Sequence, residues 1–264
     1  MKNIIFLMNV DPNIKDKEWE RFHSSRSSPY QYSIDSWKIW CKKNNSECFV
    51  LTDLIHPHEE MKLTWQRYYI FDLLEANNIE YDQVCYVDAD TIPHPDCPNF
   101  FEMSEHKLCG AQFDASWDWA LRSMENYSKY AFEGYNMPWY KYIDSGFWIA
   151  NKKHKELFKS LIEFYWLNKD LLIQIEQKFK VGTDQTPFNL WIHKHETDFK
   201  LLPYEYNMVD LNRKEILDEN LSFTKCGWIY QYNCIPNNKD NQAVYYWMKK
   251  TYEYFYNLLK KLYP

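Results

Sequence analysis

The chain has 264 residues, 45% hydrophobic and 26% charged, which is enough to bury one sizeable core and too apolar for a disordered chain. A formal charge of −6 argues against a protein that coats nucleic acid by net charge, so no nucleic-acid partner is expected. Five glycines are few for this length, and neither common glycine-rich phosphate-loop spacing occurs, which argues against nucleotide recognition through such a loop.

Strand-like and helix-like segments alternate through the first half, the pattern of a parallel sheet covered by helices. Residues 3–8 read as a first core strand, too short an apolar run for a signal peptide. Ile34, Trp37 and Cys41 fall at helical spacing, and Cys48-Phe49-Val50-Leu51 reads as a second buried strand. Trp65, Tyr69 and Leu73, with Ile70 and Leu74 beside them, predict a helix leading into the apolar run Val84-Cys85-Tyr86-Val87. Lys107 to Phe113 predicts another strand. Residues 115–140 have no clean period and read as an irregular excursion over the site. Tyr142 to Ala150 reads as a strand interrupted at Asp144-Ser145-Gly146, residues 152–178 as a helix, Asp184 to His195 as a shorter helix, Trp228 to Tyr232 as a strand, and 240–262 as a terminal helix. No linker or repeat divides the chain, so one domain spans 1–264, in two halves, 1–113 and 114–264.

The first three strands form β-α-β-α-β, an arrangement that collects ligands at the carboxyl ends of its strands. Asp88-Ala-Asp90 stands at such an end, two carboxylates two apart on a strand and so pointing the same way. Hard anionic oxygens held close together suit Mg²⁺ or Mn²⁺, a cation placed to neutralise a departing diphosphate. An aspartate there also serves as a turn residue or helix cap, so the motif needs its context. The seven scattered cysteines, without Cys-x-x-Cys, read as free thiols of a reducing, cytoplasmic compartment. No stretch is long and apolar enough to span a bilayer. Aromatic residues make 19% of the chain; most belong to a core, and a few suit the apolar face of a sugar ring.

The order of motifs resembles the metal-dependent nucleotide-sugar glycosyltransferases of the GT-A fold, most closely those of family 8. Arg67-Tyr68-Tyr69-Ile70-Phe71-Asp72-Leu73-Leu74 opens a helix before Tyr86-Val87-Asp88-Ala89-Asp90. Tyr142-Ile143-Asp144-Ser145-Gly146-Phe147 is similar to the family's Asn-Ala-Gly-like turn, and Asp184-Gln185-Thr186-Pro187-Phe188-Asn189 to its Asp-Gln helix start. The resemblance implies an α/β GT-A (Rossmann-like) fold, a mixed and mainly parallel sheet with helices on both faces. It implies transfer of a hexose from a nucleotide diphosphate sugar, with UDP the expected nucleotide, to an acceptor hydroxyl of a glycan, protein or small molecule, with retention of configuration.

Residue by residue, the resemblance gives Asp88 and Asp90 the metal, Mn²⁺ or Mg²⁺, with Ala89 between them at the donor. Arg67 goes to the nucleotide, although a lone arginine there is equally a helix-surface residue. Met8, Asn9 and Val10 line the base and ribose, and Asp144, Ser145, Gly146 and Asp114 face the donor sugar. Asp184 and Gln185 lie beside the reacting carbon, Asp184 having the plainer alternative of a helix cap. The family's third metal ligand is a histidine in a late His-x-x-Gly segment; here Gln231 stands in that place, a neutral oxygen where the family has imidazole. That departure keeps open a non-catalytic nucleotide-sugar or glycan-binding domain. The pairs His56/His58 and His193/His195 do not replace it. A phosphatase-like hydrolase is the other rival, but Thr91 directly follows Asp90 and Ile92 holds the position that chemistry reserves for Thr or Val.

Overall fold

A computed structural model describes residues 2–10 and 27–262. In chain order the main elements are β1 (Asn3–Met8), α1 (Ser27–Lys43), β2 (Ser46–Leu51), α2 (Leu63–Gln66), α3 (Ile70–Ala76), β3 (Gln83–Val87), β4 (Thr91–Pro93), α4 (Phe100–Met103), β5 (Leu108–Gln112), α5 (Trp117–Ala131), β6 (Ile143–Asn151), α6 (Lys155–Phe179), α7 (Gln185–Lys194), β7 (Phe199–Leu202), β8 (Ile229–Gln231) and α8 (Gln242–Leu262). Six strands form one sheet in the order β2-β1-β3-β6-β5-β7, and β4 with β8 makes a separate antiparallel ribbon. Within the sheet β1 runs parallel to β2 and β3, and β5 parallel to β7. β6 runs against both its neighbours, so the sheet is mixed and mainly parallel, as the sequence led us to expect.

Alternate residues of β1 enter different cores, which is why the strand reads as continuously apolar. Ile4, Phe6 and Met8 join Ile70, Phe71 and Leu74 of α3 and Phe158 and Leu161 of α6 on one face. Ile5 and Leu7 join Trp37, Trp40 and Cys41 of α1 and Phe100 and Phe101 of α4 on the other. A third cluster, including Ile92, Tyr230, Val244 and Met248, seats α8 against the β4-β8 ribbon.

Five expectations are corrected. β2 is only half-buried because it is an edge strand, with β1 on one side alone. The single helix expected around residues 65–74 breaks into α2, a 3₁₀ turn (Arg67–Tyr69) and α3; Arg67 Nε donates to the Thr64 carbonyl at 2.8 Å, competing for an acceptor of the regular helix. Residues 117–131, expected to be irregular, form α5. Its buried face is Ala120, Ser123, Met124, Tyr127 and Ser128, a helical spacing hidden because two members are serines. The hydroxyls are used inside the protein, Ser123 with Thr186 at 2.6 Å and Tyr127 to the Gly182 carbonyl at 2.6 Å. β6 runs without interruption through Asp144-Ser145-Gly146, every residue buried. Asp88 and Asp90 lie past the end of β3, in the turn to β4, where the Thr91 hydroxyl donates to the Asp88 carbonyl at 2.6 Å. β7 had no expectation: Phe-Lys-Leu-Leu is too short and mixed to stand out.

Close contact between β5 and β6 sets the height of Asp144. A Cβ added at Gly110 would fall 2.3 Å from Ile143 Cδ1 and 3.0 Å from Ile143 Cβ, beside the register shift between Gly110 and Gln112. Gly110→Ala is therefore expected to destabilise the protein by about 1–3 kcal/mol in urea unfolding. Adding Ile143→Val, which removes Cδ1, should recover part of the loss. If the two changes simply add, to within about 0.5 kcal/mol, the contact is not the cause.

Candidate functional site

From β1 the chain turns to β2 on one side and β3 on the other, so the carboxyl ends of β1 and β3 border the point where strand order reverses. A cavity of about 190 Å³ opens there, lined by Met8, Asn9 and Val10 after β1, by Thr64 and Arg67, by Tyr86, and by Asp88, Ala89 and Asp90 after β3.

Arg67 is 5% exposed, which overturns its reading as a helix-surface residue. Its Nη1 donates to the Ser145 carbonyl at 2.7 Å and lies 3.3 Å from Asp88 Oδ1, while Nε lies 3.6 Å from Asp184 Oδ2. The guanidinium stacks 4.7 Å over the Tyr86 ring. Burial opposes the charge, but the surrounding acidic groups, Asp88 foremost, outweigh it and hold Arg67 protonated. Two tyrosines complete the arrangement: Tyr86 donates to Asp88 Oδ1 at 2.7 Å and Tyr68 to Asp184 Oδ2 at 2.8 Å.

Asp88 Oδ2 accepts from Gln231 Nε2 at 3.0 Å. The β4-β8 ribbon delivers that amide, since Thr91 pairs with Gln231. Gln231 Oε1 accepts from Asn207 Nδ2 at 3.0 Å, and the same nitrogen lies 3.2 Å from Asp144 Oδ1. Asp144 Oδ1 also accepts from the Gly146 amide at 2.7 Å. Only glycine fits at 146, where a Cβ would lie 2.5 Å from Asp88 Oδ2 and 2.7 Å from Asp144 Oδ1. Three carboxylates thus share a small space. Burial, then the charges of Asp88 and Asp144, push Asp90 up to about 8; burial, then Asp88, push Asp144 up to about 7. Asp90 Oδ1 is enclosed with no hydrogen-bond partner. Among the described residues no three His, Cys, Asp or Glu side chains are grouped to hold a metal ion. A cation at Asp88 and Asp90 would therefore draw its third protein oxygen from elsewhere, and Gln231 is the amide at hand.

Asp184 precedes α7 in the capping position but makes no side-chain capping bond; its oxygens accept from Tyr68 and from the Thr183 hydroxyl at 3.0 Å. Gln185 Oε1 accepts from the Ser145 amide at 3.3 Å, and its Nε2 is buried without a partner. Asp114 stands apart, lining a second cavity of about 500 Å³ with Asp210, Arg213 and Lys214. The Val209 amide donates to Asp114 Oδ1 at 3.2 Å and Lys214 Nζ lies 2.9 Å from Oδ2. Burial raises the Asp114 carboxyl despite Lys214, and its charge reaches Asp144.

Sequence reasoning missed Tyr86, Tyr68, Asn207 and Lys214. Tyr86 was findable, since it precedes Asp88 by two and faces the same side. Asn207 and Lys214 lie in irregular chain that carries no periodic signal.

No family model matches the chain, and no curated protein matches it in sequence. Among solved structures, a glycosyltransferase involved in the glycosylation of the major capsid of PBCV-1 superposes with a TM-score of 0.58 at 9% identity, over 94% of this chain and 99% of that one. The fold is GT-A-like. The glycosyltransferase GlyE of Streptococcus pneumoniae TIGR4 overlaps more loosely, with a TM-score of 0.47 at 15% identity over 99% of this chain and 64% of that one.

The carboxylate cluster has a measurable signature. A carboxyl near 8 or 7 in the folded protein and near 4 when unfolded binds its proton more tightly in the folded state, so its contribution to stability falls as pH rises across that interval. In chelated protein, thermal unfolding between about pH 6.5 and 8.5 should show Asp90→Asn losing less stability with rising pH than wild type. Parallel curves would contradict the assigned crowding.

Proposed function

We propose that the chain transfers a hexose from a nucleotide diphosphate sugar, UDP being the expected nucleotide, to an acceptor hydroxyl, with a divalent cation at Asp88 and Asp90. The observation that carries this reading is that Asp88 and Asp90 line the β1/β3 cavity and are crowded by Asp144, an acidic cluster with an enclosed, unpartnered carboxylate oxygen. Such a cluster fits a hard cation, Mg²⁺ or Mn²⁺, better than any neutral ligand. The neighbour from PBCV-1 is a glycosyltransferase, and at 9% identity it supports the reading through fold alone.

When bound, the cation supplies neutralisation of the departing diphosphate. This chain's own residues do the rest. Met8, Asn9 and Val10 border the cavity and take the nucleoside, and Arg67, held charged, provides a planar cation for phosphate at its edge. Asp144, Ser145 and Gly146 lie buried beside Asp88, and this reading assigns the sugar to them and to Asp114, which lines the second cavity. Gln185, which accepts from the Ser145 amide and leaves its Nε2 unpartnered, is assigned to the reacting carbon. Asp184 acts through its contact with Arg67 and positions it. Retention of configuration follows the resemblance and belongs to the same proposal, as does a reducing, cytoplasmic setting for the seven cysteines, none of them in a disulfide.

One observation favours a second reading, binding without turnover: Gln231 turns its amide nitrogen toward Asp88, so its oxygen faces Asn207. Calorimetric titration with Mn²⁺ and UDP tests the first. Asp90→Ala is expected to weaken nucleotide binding at least about tenfold, 1.4 kcal/mol, while the protein stays folded; unchanged affinity would sink the metal site. Gln231→His should tighten Mn²⁺ more than Mg²⁺, because imidazole suits the later ion better. An unchanged ratio would remove Gln231 from the site.

A further inference from the structure

Four aromatic side chains run outward from the edge of the candidate sugar site. Phe113, adjoining Asp114, packs against Tyr142 at 5.4 Å and Trp117 at 5.9 Å; Trp117 meets Trp139 edge-on at 5.1 Å. The run surfaces at Trp139, 53% exposed, and Tyr140, 51% exposed, in the 3₁₀ turn (Trp139–Lys141) that leads into β6 and Asp144. Trp139 borders a groove of about 750 Å³ whose walls also include Leu121, Glu125, Lys129, Asn136 and Met137. That volume is of the size that holds small-molecule ligands.

We infer that this groove is an acceptor subsite that holds the sugar units of a neutral oligosaccharide remote from the reacting hydroxyl. The inference rests on the glycosyl-transfer reading for its role and on the groove for its ligand. An indole braced edge-on by Trp117 offers a rigid apolar face at little conformational cost, the surface on which the C–H face of a pyranose lies. Glu125, Lys129 and Asn136 supply acceptors and donors for ring hydroxyls around it. The charges on the rim are of both signs, and Glu133 is paired with Lys194 at 3.0 Å, so neither an anionic membrane nor a strongly charged polymer is favoured. Position supports the acceptor role. Trp139 is five residues from Asp144, a span of at most about 18 Å of extended chain, within reach of a short oligosaccharide. The helix that forms the groove's other wall is bonded through Ser123 and Tyr127 to residues 182–186, which carry Asp184 and Gln185.

The test uses the whole chain and three length ladders, cello-, malto- and chito-oligosaccharides of one to six units, followed by saturation-transfer NMR. At least one ladder should bind more tightly as it lengthens, with a gain of about tenfold or more that is lost in Trp139→Ala and partly kept in Trp139→Phe. No length dependence in any ladder, or equal binding by Trp139→Ala, would overturn the inference. So would a change from dimer to monomer in sedimentation velocity on Trp139→Ala, which would make the groove a contact between copies. Mn²⁺-dependent hydrolysis of UDP-glucose and UDP-galactose on the same samples reads the transfer reaction separately and should be equal in wild type and Trp139→Ala. Intact ladder binding with no donor hydrolysis in either protein would support the glycan site and sink the transfer reading.

Discussion

The site depends on one buried cation. Arg67 comes from a short 3₁₀ turn, yet it reaches the turn after β3 through Asp88, the start of α7 through Asp184 and the first part of β6 through the Ser145 carbonyl. An isolated charge in that position would carry a large desolvation cost, and removing one partner of such a set leaves another charge uncompensated. Three segments distant in sequence are thereby held to one geometry. Tyr86 and Tyr68 share the constraint, each donating to one of the two carboxylates and leaving Arg67 between them.

What Arg67 holds together, it does not neutralise. Asp88 faces Arg67 through one oxygen and Gln231 through the other, and Asp90 and Asp144 are left crowded on the far side. The backbone permits this crowding only because residue 146 has no side chain. An acidic cluster with less positive charge around it than its own negative charge is an electrostatic demand built into the folded state. A divalent cation would meet that demand at neutral pH, as protons do at lower pH. Fold stability and ligand binding are thus linked through the same carboxylates.

Part of the sheet was legible because β1 and β3 are almost wholly apolar and α6 is regular, and all three lie close to where periodicity puts them. The motif residues were legible because each sits next to such an element, Asn9 after β1, Asp88 after β3, Gln185 opening α7. α5 was not, since its inward face uses Ser123 and Ser128 where a pattern reader expects apolar residues, and the Ser123 hydroxyl finds its partner, Thr186, only once the chain is folded. Nor could the sequence reveal that β6 runs straight through Asp144-Ser145-Gly146, because three polar or small residues look like a break unless a buried network is there to receive them. Asn207 carried no local signal at all; its role exists only where an irregular segment meets β6 and β8.

The central claim is that Asp88 and Asp90 form a cation site at the mouth of the β1/β3 cavity. Crystals grown with MnCl₂ and UDP, measured at the manganese absorption edge, test it directly. The account predicts an anomalous peak touching both carboxylates, with the diphosphate on its open side and the uridine against Met8, Asn9 and Val10. A peak elsewhere, or UDP bound in that cavity with no manganese at Asp88 and Asp90, would contradict it.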